Sequence, residues 1–352
     1  SLPLLAWLAR EEPATFDRVA TVLSCKDWLG YRLTGERAVD RSQATVPYLD
    51  RSTESLDPAV FDVVDLPGAR GLLPSLVSPT EPLGTVTAGA AAETGLPEGL
   101  PVVSALIDVA ATALGSGAVG SDAGAVTLGT SLVTQTLTEG PRSEAAGVQM
   151  ALGVEGLWTY AIGSNAGTPS LDWLRETVAA GAEFEALATA ADAVPVGSDG
   201  LLYHPYLTTA GERGPFVDPD ARAQFLGLAA EHDAEHLVRA VYEGLSLAVR
   251  DCVAHLPGDL DAVHAGGGGA RSPFWCRLLA DVLDADVVVP EGSEFGARGA
   301  AVVLGLALGE YPDLATAVDR TFTPAERYAP RSAAAEQYDR LYDLYREVRE
   351  EM

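Results

Sequence analysis

Residues 261–290 limit the choice of fold more than any other stretch of this chain. They read DAVHA, then GGGGA, then RSPFWCRLLADVLDA, then DVVVP. The spacing predicts a strand over DAVHA, a tight glycine turn, a helix over 272–284 and a second strand over DVVVP. The same rhythm runs through the neighbouring text. Strands are predicted over 102–107, 123–128, 132–137 and 157–162. Helices are predicted over 109–118, from about Pro169, and over 234–254, 295–308 and 334–350. Leu237, Val241, Leu245 and Ala248 make one apolar face of the 234–254 helix, and Tyr338, Leu341, Leu344, Tyr345 and Val348 one face of the last. Strands alternating with helices predict a layered α/β fold.

The first hundred residues read differently. Pro13, then Phe16, Val19, Ala20 and Leu23 at helical spacing, then Gly35, predict a helix over 13–33. From Asp50 to Gly99 prolines break the text into short elements. LPEGLP at 96–101 is the natural boundary, dividing the chain into 1–100 and 101–352.

The 352 residues carry 50 acidic and 23 basic side chains, a net charge of −27, and Lys26 is the only lysine. A surface this acidic repels nucleic acid and anionic membrane, so neither is an expected partner. No apolar run reaches the roughly 20 residues of a membrane helix. Scarce lysine with surplus Asp and Glu is the style of proteins from salt-loving microbes, and it predicts stability that rises as salt screens the charge. Cys25, Cys252 and Cys276 are too widely spaced for a zinc knuckle or a disulfide framework, and a reducing cytoplasm is the expected setting. The chain opens at Ser1 without a methionine or a leader pattern, as a fragment or a processed chain would.

Several stretches can carry chemistry. VVSALIDVAATALG, residues 102–115, holds one carboxylate, Asp108, among small and apolar residues. A buried carboxylate must be paired or hydrogen-bonded, so Asp108 reads as a helix cap or as a catalytic base. HAGGGGARS, 264–272, offers close backbone approach and a helix N-terminus to a ligand, or is simply a turn that needs glycine. It is neither a Walker loop nor a GxGxxG fingerprint, which counts against a nicotinamide dehydrogenase. TLGTS, 127–131, sets two hydroxyls beside Gly129, suited to phosphate oxygens or to a β-turn, and is not GxSxG. GERGPFVDPDAR, 211–222, is a loop whose Arg213 or Arg222 can meet an anion. His232 and His236 in EHDAEH lack the HExxH order, so an exposed helix start outweighs a metal pair.

Taken together, GLPVVSALIDVAATALGSG, LGTS, AGTPSLDWL, GERGPFVDPDARAQFLGL, HLVRAVYEGLSLAVRD, AGGGGARSPFWCRLLADVL and VVVPEGSEFGARGAA stand in the order of the FGGY carbohydrate kinases. EEPATFDRVATVLSCKDWLGYRLTGERAVDRSQAT resembles that family's substrate-side domain. The resemblance implies the actin-like ATPase (ribonuclease H-like) fold, with two domains around a cleft. Residues 1–100 would be the remainder of the N-terminal sugar-binding domain and 101–352 the C-terminal ATP-binding domain.

It also implies transfer of the ATP γ-phosphate to a sugar or polyol hydroxyl. Asp108 takes the place of the catalytic base. Gly129, Thr130 and Ser131 match the phosphate loop. Gly266, Gly267, Gly268 and Gly269, with Ala270 and Arg271, match the adenosine-side turn, and Ser272 stands where Asn or Ser is usual. Gly296, Ala297 and Gly299 match the small-residue turn that follows. ATP and Mg²⁺ are the implied cofactors, and Asp108 would face the metal only through Mg-ATP.

Three departures accompany the match: Ile107 replaces the Gly before the base, Leu4 replaces a Lys, and the family's opening segment with its first phosphate loop is expected to be missing. The implied substrate is a pentulose such as xylulose, with a glycerol- or erythritol-type polyol behind it. A catalytically silent sugar- or nucleotide-binding relative is the reading from another class. A homodimer stays open.

Overall fold

The computed structural model describes residues 2–350 apart from 47, 121, 143–145 and 180. Among these, seven strands form one mixed sheet. Its order is Pro324–Tyr328, Asp286–Pro290, Ala262–Gly266, Ala123–Leu128, Leu132–Glu139, Leu157–Ser164 and Val148–Ala151. The strand Ala262–Gly266, third in this order, runs parallel to both neighbours. The helix Pro273–Leu283 that follows the four glycines makes the crossover to Asp286–Pro290, as a parallel pair requires. Ala123–Leu128 and Leu132–Glu139 instead form a hairpin closed by Gly129, Thr130 and Ser131, with Leu128 opposite Leu132.

Side chains alternate across the sheet, and each face has its own cover. Val126, Leu128 and Leu132 join the core beneath the helices Ala234–Ala254 and Pro273–Leu283. Ala125 and Leu137 point the other way, into a core shared with Asp108–Gly115 and Phe295–Ala307. The Ala234–Ala254 helix matches its predicted span, but it is buried on every side from residue 238 to 249. A full burial such as that of Leu245 or Leu247 contributes about 1.5–3 kcal/mol. Arg239 and Glu243 lie in the same stretch and survive burial by pairing at 2.8 Å, with the Tyr338 hydroxyl completing the cluster.

Some expectations change. The 13–33 helix is two helices, Pro13–Phe16 and Cys25–Thr34. Ser24 Oγ accepts the Asp27 N–H, and the Asp27 carboxylate accepts the Ser24 N–H. This capping box starts a new helix where the apolar spacing alone ran on. Gly35 ends it at φ +84°. The strand over 102–107 is confined to Pro101–Val103, which pairs with Pro82–Thr85 outside the main sheet. On the last helix Tyr342 takes the buried position expected of Leu344, which is exposed. Leu2–Glu11, Phe184–Ala193, Leu314–Thr321, Val148–Ala151 and Pro324–Tyr328 are elements the sequence did not announce.

Candidate active site

Two glycine turns meet at the ends of neighbouring strands. Gly266 lies opposite Thr127, so the turn at 266–269 begins beside the Gly129 hairpin. Gly267 has φ +84°, and a Cβ there would stand 2.6 Å from the Leu128 carbonyl oxygen. A Cβ on Gly269 would press on the Trp275 ring and lie 2.7 Å from Leu128 Cβ. Gly268 differs: it is exposed, and no heavy atom of the described residues lies within 4 Å of its Cβ position. Packing therefore accounts for Gly267 and Gly269, while Gly268 leaves room on the solvent side.

A third turn braces the hairpin. The Thr168 N–H donates to the Gly129 carbonyl at 2.9 Å, the Leu132 N–H to the Ala166 carbonyl at 2.8 Å. A Cβ on Gly167 would stand 2.6 Å from the Gly129 carbonyl oxygen. Thr130 is exposed and Ser131 half-buried. Their hydroxyls, held on a fixed backbone, can donate to an anion. Ser272 caps the Pro273–Leu283 helix, its Oγ accepting the Trp275 N–H at 3.3 Å, which leaves its own proton to give.

Asp108 is neither buried nor a helix cap, contrary to the capping expectation. Ile107 occupies the N-cap position, and Asp108 is the exposed first residue of Asp108–Gly115. Its Oδ1 accepts the Val109 N–H at 2.7 Å, so the carboxylate sits at the positive end of the helix, and Oδ2 has no hydrogen bond among the described residues. The helix is set by close packing. A Cβ on Gly115 would overlap the Phe295 carbonyl, and one on Gly299 the Ala111 carbonyl. Gly296 approaches Thr112 Oγ1, and Ala297 is exposed. Of the three small residues singled out in that turn, Gly299 thus holds two helices together.

Gly163, Val133, Thr127 and Gly266 stand in register as one row across four strands. Their side-chain face is that of Ala125 and Leu137, the face the Asp108 helix packs on. Arg213 arrives at the other end of this row. Its Nε donates to the Gly163 carbonyl at 3.0 Å, and the guanidinium fills the space a Gly163 side chain would occupy. Arg213 is exposed and makes no ion pair among the described residues. Arg222 spends its Nη1 on the Pro219 and Ala221 carbonyls.

Sequence reasoning missed Glu212, which holds this loop. Only 2% exposed, its carboxylate accepts from Ser164 Oγ and from the backbone N–H of Asn165, Arg213 and Gly214. The available signal was a lone Glu inside a Gly- and Pro-rich loop. His236 completes a capping box with Asp233, whose carboxylate raises the imidazole pKa. Among the described residues no group of three or more His, Cys, Asp or Glu could hold a metal ion.

Residues 1–115 match the N-terminal domain and residues 124–308 the C-terminal domain of the FGGY family of carbohydrate kinases. The chain belongs to this family. It is a sugar kinase, a phosphotransferase, and the family's phosphate donor is ATP. Erythritol kinase of Brucella abortus (strain 2308) is 36% identical over 355 residues, spanning 96% of this chain and 68% of that protein. Xylulose kinase of Escherichia coli (strain K12) is 31% identical, spanning 97% and 72%. The solved xylulose kinase from Rhodospirillum rubrum superposes with a TM-score of 0.86 at 33% identity, covering 99% of this chain and 71% of that one. The kinase therefore has the actin-like ATPase fold, with the seven-stranded sheet as its large central layer. No helix among the described residues is long and apolar enough to cross a membrane.

Proposed function

We propose that the kinase moves the γ-phosphoryl group of ATP to a hydroxyl of a five-carbon ketose such as xylulose. The observation that carries this reading is the placement of the two glycine turns. The turn whose Thr130 and Ser131 hydroxyls make no hydrogen bond among the described residues and the Gly266–Gly269 turn stand side by side. They end strands one face of which packs against the helix that begins at Asp108, whose Oδ1 alone has a hydrogen bond among the described residues.

In this reading residues 1–100 form the sugar side and 101–352 the nucleotide side. Gly129, Thr130 and Ser131 hold phosphate oxygens, Gly266–Gly269 and Ser272 take the adenosine side, and Arg213 offsets phosphate charge. The substrate hydroxyl oxygen attacks the γ-phosphorus, its proton passes to Asp108, and ADP leaves with the bridging oxygen. Mg²⁺, bound with ATP, would supply charge neutralisation at the phosphates, and Asp108 would face it only through Mg-ATP.

The experiment is a panel of pentuloses, tetritols and glycerol in a coupled ADP-release assay at high salt. Sugar-dependent ADP release with xylulose is the expected result. Preference for erythritol would install the second reading, which the higher identity to erythritol kinase supports. Nucleotide or sugar binding without turnover on any substrate would favour a silent relative.

A further inference from the structure

The chain keeps a single lysine among 22 arginines, and the structure puts it where four acceptors converge. Lys26 Nζ donates to Asp27 Oδ1 at 2.9 Å, Asp40 Oδ2 at 2.5 Å, the Ser104 carbonyl at 3.2 Å and Ser104 Oγ at 3.1 Å. Asp27 and Asp40 are buried. An ammonium is a compact point charge with three rotatable donors. A planar guanidinium cannot point at three segments from one atom.

The network continues past the lysine. Asp40 Oδ1 accepts the Ser42 N–H at 2.9 Å and also the Ser42 hydroxyl. With its proton committed there, Ser42 Oγ accepts the Ile107 N–H at 2.8 Å. The link 104–107, which carries Asp108, is therefore gripped at both ends. Ser104 is held by Lys26, and Ile107 by Ser42, with Leu106 buried between them in the core. Ala105 inside this grip takes φ +56°, a left-handed conformation that a non-glycine residue holds only when its surroundings impose it.

We infer that Lys26, Asp40 and Ser42 are positioning residues that fix the backbone leading into Asp108 and so aim its carboxylate. This rests on the reading of Asp108 as the base. The distances form one chain: ammonium to Asp40, Asp40 to Ser42, Ser42 to the peptide N–H directly before Asp108. A misplacement of about 1 Å at a reacting group can cut turnover by about a hundredfold.

Ser42→Ala removes the acceptor for Ile107 and leaves the Lys26–Asp40 pair intact. Ser42→Cys keeps the side-chain shape but offers only a weak sulfur acceptor to the Ile107 N–H, and serves should the alanine variant fail to fold. Both should lower kcat by tenfold to about a hundredfold and leave KM for ATP within about twofold. Both should also speed hydrogen exchange at the Ile107 amide. A kcat within about twofold of wild type, a rise in KM alone, or an Ile107 amide that already exchanges fast in wild type would overturn the inference. Asp108→Asn is measured beside them. If it is silent while the Ser42 variants are fully active, only the positioning role falls. If Asp108→Asn itself turns over normally, the base assignment falls and the positioning role with it. The exchange measurement reads the grip itself, independently of any substrate.

Discussion

Glu212 accepts the Asn165 N–H at 2.8 Å and thereby hangs the Arg213 loop from the turn that braces Gly129. A buried carboxylate with three backbone donors and a hydroxyl is fully satisfied, so it can act as a rigid peg. Arg213 gains a fixed root, and beyond its Nε bond to Gly163 the two Nη groups of its guanidinium fork make no hydrogen bond among the described residues.

Arg213→Gln should therefore raise KM for ATP by about tenfold or more, since a hydrogen bond to a charged group contributes about 1.5–3 kcal/mol. Arg213→Lys should recover part of the loss, because it restores charge but not the fork. Initial rates against ATP concentration decide it. An unchanged KM in Arg213→Gln would remove this arginine from the nucleotide site.

Replacing Asp108 by Asn should reduce kcat by about 10²–10⁴-fold, the range for loss of a positioned proton acceptor. ATP binding, followed by calorimetry, should be nearly unaltered, because the side chain is exposed and its removal empties no core. A variant with wild-type turnover would send the search for the base elsewhere.

The four glycines separate packing from ligand contact. Gly268→Ala meets no heavy atom of the described residues within 4 Å, so its unfolding temperature should match wild type. Its ATP affinity should nevertheless fall if a nucleotide approaches that backbone. Gly269→Ala presses on Trp275 and should lose about 1–3 kcal/mol of stability. Equal ATP affinity in Gly268→Ala and wild type would place the nucleotide away from this turn.

His204 supplies a pH dependence. It is fully buried, its Nε2–H donates to the Tyr345 carbonyl at 3.0 Å, and Nδ1 has no hydrogen-bond partner among the described residues. Burial lowers its pKa, and nearby Arg349 adds to the effect. The unfolded chain thus takes up a proton near the ordinary histidine value of about 6.5, before the folded chain does. Stability should fall as pH drops through that value. Denaturant midpoints at pH 7.5, 6.5 and 5.5 should show a steeper decline in wild type than in His204→Asn. Parallel slopes would assign the acid sensitivity to other groups.

The charge balance predicts a salt response. With a net charge of −27, thermal unfolding should move upward as KCl rises from low to molar concentration. The screening length shrinks over that range from about 10 Å at 0.1 M to about 3 Å at 1 M. A flat profile would show that self-repulsion does not limit stability here.

The sequence by itself determined the βαβ unit around the four glycines, the span of the Ala234–Ala254 helix and the alternation of strands and helices. Those signals are local: apolar periodicity, a glycine turn and a proline at a helix start all act within a few residues. It also marked the family and the residues to examine. Tertiary structure alone decided that Asp108 is exposed, that Glu212 pegs the Arg213 loop, and that Lys26 reaches Ser104 while Ser42 reaches Ile107. Each of those contacts joins residues separated by about fifty positions or more, or depends on whether a neighbouring element covers the side chain. Periodicity reports which way a residue faces along its own element, not what the folded chain brings to meet it.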